Sequence, residues 1–122
     1  MTGVYCIKVN DCIVYVGKAV DIEERRKGHW KAILGDNQEN KYQLLRAILH
    51  SEARIQFGVL EEVNNPDLLL SVEEKWIKAL EPCLNSVHNN GRGKIITMQE
   101  FWNEIWDRRD FVKVGKIGKF LI

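Results

Sequence analysis

Two short apolar runs open the chain, Val4-Tyr5-Cys6-Ile7-Lys8-Val9 and Cys12-Ile13-Val14-Tyr15-Val16, on either side of Asn10-Asp11. Both are rich in β-branched and aromatic residues, and an Asn-led pair between them is a turn signal, so the chain begins as a β-hairpin. Gly17 ends the second strand, and a short loop leads to Asp21. Asp21 with Glu24 three residues later resembles a capping box and starts a helix over 22–35, stopped by Gly35-Asp36-Asn37. A second helix is expected over 40–51, with Tyr42, Leu45, Ile48 and Leu49 on one face. Ile55, Phe57 and Val59 alternate as in a half-buried strand. Asn64-Asn65-Pro66 then turns the chain into a third helix over 67–80, ending before Pro82. This β-β-α-α-β-α order predicts an α+β fold, a small three-stranded antiparallel sheet flanked by helices.

Asn89-Asn90-Gly91-Arg92-Gly93 reads as a flexible loop. Thr97 and Glu100 form a second capping box ahead of Met98, Phe101, Trp102, Ile105 and Trp106, which recur at helical spacing. The spacing predicts a helix over 98–108, then short extended stretches at Phe111–Val114 and near Phe120. The chain thus divides into a core domain, 1–88, and an extension, 89–122, packed upon it. Trp102 and Trp106 give that helix a large apolar face, so the expected state is a monomer or a homodimer through 98–108.

A chain of 122 residues, 45% hydrophobic, suffices for one domain with a small core. It has no apolar run of spanning length, so no membrane partner is expected. MTGVYCIKV lacks the basic, apolar and small-residue segments of a secretory signal, which predicts an intracellular, cytoplasmic protein. Cys6, Cys12 and Cys83 are odd in number and form no C-x-x-C pair, so they read as reduced thiols. The net charge of +1 does not announce a nucleic-acid partner. Its distribution says a little more: residues 1–90 hold 11 Lys/Arg against 13 Asp/Glu, and residues 91–122 hold 7 against 4. The basic excess, from Arg92 to Lys119, is either an ordinary solvated surface or a contact for phosphate.

The third helix carries the most pointed chemical signal. At about 100° per residue, Leu69, Leu70, Trp76, Ile77 and Leu80 cluster on one face with Glu73 in its middle, while Glu74 points away. A carboxylate on an apolar stripe is costly unless it meets a cation or strong donors. Its partner is either an arginine in an internal salt bridge or a metal. On the first helix Arg25 and His29 are four apart and share a face, with Arg26 nearer the apolar side. Such pairs are also common on plain surface helices. Tyr5 and Tyr15, in Gly3-Val4-Tyr5 and Tyr15-Val16-Gly17, would ordinarily be packing residues.

Taken together, these residues resemble the GIY-YIG nuclease superfamily. Gly3-Val4-Tyr5 and Tyr15-Val16-Gly17 match its name motif, Arg25 follows Tyr15 by ten residues, and His29 comes one helical turn later. A helical Glu73 and an Asn85 after Pro82 complete the pattern, which covers residues 3–85. Lys18-Ala19 through His29, and Glu73 with Trp76 and Ile77, are most similar to the catalytic domains of intron-homing endonucleases. The resemblance implies a DNA endonuclease that hydrolyses phosphodiester bonds with one Mg²⁺ or Mn²⁺ on Glu73. In that reading Arg25 clamps a phosphate oxygen, Tyr15 supports the phosphate, and Asn85 orients the metal or Glu73. Tyr5 positions or deprotonates water, given a pKa well below about 10, with His29 or Lys18 taking its proton. Gly17, Lys18 and Arg26 belong to the substrate-binding side. The alternative is a catalytically silent nuclease-like module that binds nucleic acid or a protein partner.

Overall fold

In a computed structural model of the chain, Asn10 adopts φ 54, a left-handed conformation that asparagine tolerates, and so closes the opening hairpin. The structure describes residues 1–51, 53–85, 96–108 and 119–120; the expected loop at 89–93 and the extended stretch at 111–114 lie outside these. Strand β1 (Gly3–Val9) pairs antiparallel with β2 (Cys12–Ala19). Gly17 does not end β2, because it pairs with Tyr5 and the ladder runs on to Gly3↔Ala19. The register steps from Ile7↔Tyr15 to Lys8↔Ile13, leaving Val14 as a bulge. The extra residue lets Tyr15 face the same side as Ile7 although Ile13 faces the other.

Helix α1 (Ile22–Leu34) begins where the Asp21 carboxylate accepts the Glu24 N–H at 3.1 Å. Helix α2 (Asn40–Ile48) ends short of 51, where Ser51 turns its hydroxyl back onto the Ile48 carbonyl. Strand β3 (Ile55–Glu62) lies on the other side of β1. A 3₁₀ turn, Pro66–Leu68, replaces the expected first helical residues and leads into α3 (Leu69–Leu80). Glu81, at φ 48, stops α3 one residue before Pro82. Helix α4 (Met98–Asp107) has the full capping box, with Thr97 and Glu100 each accepting the other's backbone N–H at 3.1 Å. A two-residue strand, β4 (Lys119–Phe120), pairs with Gly58 and Val59. The expected three-stranded antiparallel sheet, β2-β1-β3, is present, and this short strand extends it at the β3 edge to the order β2-β1-β3-β4.

Helices cover both faces of the sheet. Ile7, Val9, Cys12 and Val14 pack with Ile33 of α1, Leu45 and Ile48 of α2, and Phe101 and Ile105 of α4. Val4, Cys6, Ile13 and Val16 pack on the opposite face with Leu69, Ile77 and Leu80 of α3. β1, with neighbours on every side, is buried at every residue. β3 is likewise buried on both faces from Ile55 to Val59, which corrects the half-buried expectation: Gln56 and Gly58 lie under cover as well. Leu70 is 55% exposed and does not join the inward face of α3, since it lies about 100° round the helix from Leu69. Among the described residues no helix is long and apolar enough to cross a membrane.

Candidate active site

Strand alternation in β2 sends Tyr15 and Gly17 to the α1–α2 face and Val16 and Lys18 to the α3 face. Because β2 is an edge strand, the two sets meet around its margin. On the first face, Tyr5 lies across from Gly17, and a Cβ at position 17 would stand 2.9 Å from Tyr5 Cε1. The glycine is therefore required by the close approach of the Tyr5 ring. That ring is 2% exposed, and its hydroxyl lies 2.6 Å from Nε2 of His29, which α1 carries fully buried. The other ring nitrogen, Nδ1, lies 2.8 Å from the hydroxyl of Tyr42 on α2. Tyr15 flanks the same imidazole, ring centroids 5.6 Å apart. Arg25, one turn before His29, lies near enough to Tyr5 and Tyr15 for its positive charge to favour ionisation of both phenols, against the larger effect of burial.

On the other face, Glu73 is 9% exposed, and Lys18 Nζ stands 3.9 Å from its Oε1. Lys18 is thus a cationic neighbour of this carboxylate, where an arginine or a metal was expected. Glu73 also acts on Tyr15 across the margin, opposing ionisation of its phenol. Asn85 is buried, with its amide oxygen accepting from Val16 N–H and its amide nitrogen donating to Val16 C=O, both at 2.8 Å. Arg26 is drawn into a close ion pair with Glu23 on its own helix.

The electrostatics correct one expectation. Burial raises the Tyr5 phenol above its ordinary value, with Tyr15 adding to the effect and Arg25 only partly opposing it. Tyr5 is therefore a neutral phenol at rest, not a group poised to ionise. His29 is moved the opposite way, down to about 3, by burial first and then by the charges of Arg25 and Lys41. Its imidazole is neutral and can accept a proton at one nitrogen while donating at the other.

Two residues at this site carried no catalytic signal in the sequence. Tyr42 stood among the apolar residues of α2, although a buried phenol needs a partner for its hydroxyl. Lys41 lies with Nζ 4.8 Å from the Tyr15 ring centroid and 5.1 Å from that of Tyr42, and pairs with Glu39 at 3.5 Å. Among the described residues, no three His, Cys, Asp or Glu side chains gather as a metal cluster. Any cation here would find few ligands among the described residues.

No family model matches the sequence, and no curated protein matches it. Among solved structures, the catalytic domain of homing endonuclease I-TevI is similar, with 31% identity and a TM-score of 0.54, covering 73% of this chain and 94% of that domain. Shared identity at this level over nearly the whole of a nuclease catalytic domain, on the same arrangement of strands and helices, makes this chain a member of the GIY-YIG nuclease superfamily.

Proposed function

We propose that the chain is a DNA endonuclease that hydrolyses phosphodiester bonds at this site with a single divalent cation. The observation that carries the reading is the convergence of Tyr5, Tyr15, Arg25 and His29 on one side of the β2 margin with Lys18 and Glu73 on the other. Glu73 offers hard carboxylate oxygen, nearly buried beside the more open Lys18, the donor chemistry that Mg²⁺ or Mn²⁺ accepts. With one protein carboxylate, waters and substrate oxygens fill the rest of such a shell. When bound, the ion supplies neutralising charge at the phosphate and the departing oxygen.

The remaining work falls to the chain. Arg25 turns its fork of donors to a non-bridging phosphate oxygen, where it opposes the charge that develops in the transition state. Lys18 adds a second positive charge on the substrate side, Tyr15 supports the phosphate, and Gly17 leaves room for the Tyr5 ring. Tyr5, neutral at rest, accepts a proton from the attacking water as its own proton passes to His29 Nε2, so no tyrosinate need exist beforehand. The water oxygen bonds to phosphorus as the bond to the leaving oxygen breaks, the leaving oxygen takes a proton from solvent water, and His29 later gives its proton back through Tyr5 to solvent. Asn85 acts through Val16, holding the strand that carries Tyr15 and Gly17.

The test is cleavage of labelled single-stranded, duplex, flap and four-way DNA with Mg²⁺ or Mn²⁺. Glu73→Ala and Arg25→Ala should each abolish cutting while the circular dichroism spectrum stays native. Activity retained in either variant defeats this mechanism. Nucleic-acid binding without cutting, indifferent to EDTA, would instead favour a silent module.

A further inference from the structure

A buried histidine held between two tyrosine hydroxyls on different elements is more than packing requires. Tyr5 Oη lies 2.6 Å from His29 Nε2 and Tyr42 Oη lies 2.8 Å from Nδ1, and all three side chains are at most 4% exposed. The direction of the chain of protons follows from its outer end. Arg25 can only donate, and its positive charge, which favours the oxygen of Tyr5, turns the phenolic hydrogen away from the guanidinium. The phenol then directs its single hydrogen to the acceptor beside it, Nε2. A neutral imidazole with Nε2 bare carries its hydrogen on Nδ1 and donates it to Tyr42 Oη.

We infer that Tyr42 is a positioning residue of the reaction, whose hydroxyl accepts Nδ1–H and so holds His29 in the tautomer able to take the proton of Tyr5. This rests on the nuclease reading above and adds to it a residue on α2 that touches neither substrate nor metal. In the opposite tautomer Nε2 bears hydrogen, and Tyr5 has no base behind it. When the water proton moves to Tyr5 Oη and the phenolic proton to Nε2, the new imidazolium keeps a hydroxyl oxygen against Nδ1–H. Without Tyr42 Oη, that buried N–H would lose its partner in apolar surroundings, where Phe57 packs beside the imidazole and Trp30 packs on Phe57. Support of an acting group by the hydrogen bond to its far nitrogen is commonly worth about 10- to 100-fold.

Tyr42→Phe removes only the hydroxyl. Steady-state cleavage of duplex DNA should show kcat reduced by about 10- to 100-fold with KM changed by less than about 2-fold, since substrate contacts are untouched. Nitrogen NMR of the wild-type His29 ring should find hydrogen on Nδ1 and none on Nε2, and Tyr42→Phe should populate the other tautomer. Unchanged kcat per folded molecule in Tyr42→Phe, even with a lower Tm, overturns the inference and leaves the nuclease reading standing. So does a wild-type ring protonated on Nε2, a result that does not depend on the variant folding. Failure of the wild-type chain to cut any DNA in the panel removes the nuclease reading and this inference with it.

Discussion

A methyl group at position 17 would press on the Tyr5 ring, 2.9 Å from Cε1, and that ring cannot swing away without leaving His29. Gly17→Ala is therefore expected to lower stability by about 1–3 kcal/mol, the usual scale of overpacking, and to lower kcat by a far larger factor than the lost stability explains. Thermal melts beside cleavage rates check both parts. His29 makes a prediction about pH. It titrates near 6.5 when unfolded and near 3 in the fold, because burial disfavours the imidazolium. Between those values the unfolded chain binds a proton that the folded chain does not, so stability is full above about 6.5 and declines as pH falls toward about 3. His29→Gln should flatten that decline in Tm between about pH 7 and pH 4, whatever it does to Tm at neutrality. At this scale the sequence disclosed residue types better than their states. Arg25, His29 and Glu73 were legible as candidates because helical spacing is local. The direction of the Tyr5 shift was not, because it depends on how deeply a strand residue is covered by helices distant in sequence.

Helix α4 was the most legible element, since its capping box closes within three residues and needs no partner from elsewhere. Thr97→Ala should cost about 1 kcal/mol, the common worth of an N-cap side chain, measurable as a shift in the denaturation midpoint with an unchanged slope. Helix α3 was legible in its buried carboxylate and less so in its margin. Leu69, Glu73, Ile77 and Leu80 turn inward while Leu70 does not, and where an apolar face ends depends on the width of sheet beneath it. Its far end is tied by Arg108, which donates to the carbonyls of Leu80 and Glu81 and pairs with Glu104. No local pattern announces such a tie, because the residues joined stand 27 and 28 apart.

Seen whole, the site belongs to no single segment: β1, β2, α1 and α3 supply the proposed reacting groups, α2 stands behind them, and α4 completes the core beneath. Phe101 and Ile105 are fully buried against the same cluster as Ile7, Ile33 and Phe57. Losing both at about 2–5 kcal/mol each would consume most of the roughly 5–15 kcal/mol that holds a domain together. A chain ended after Ile96 should accordingly lose cooperative thermal unfolding by circular dichroism, and a sharp native-like transition would refute that. The extended stretch near Phe120 was legible, but its pairing with Gly58 and Val59 was not, since a two-residue pairing is created by the sheet it joins. The buried amide of Asn85 has a last consequence, for anyone preparing inactive protein. With Leu84 N–H bound to Val14 C=O and Asn85 bound to Val16, the segment after Pro82 occupies backbone groups on β2 that another chain could otherwise use. Asn85→Ala, made to silence catalysis, would unmask part of that ladder and should favour concentration-dependent self-association, visible by light scattering, where Glu73→Ala should not.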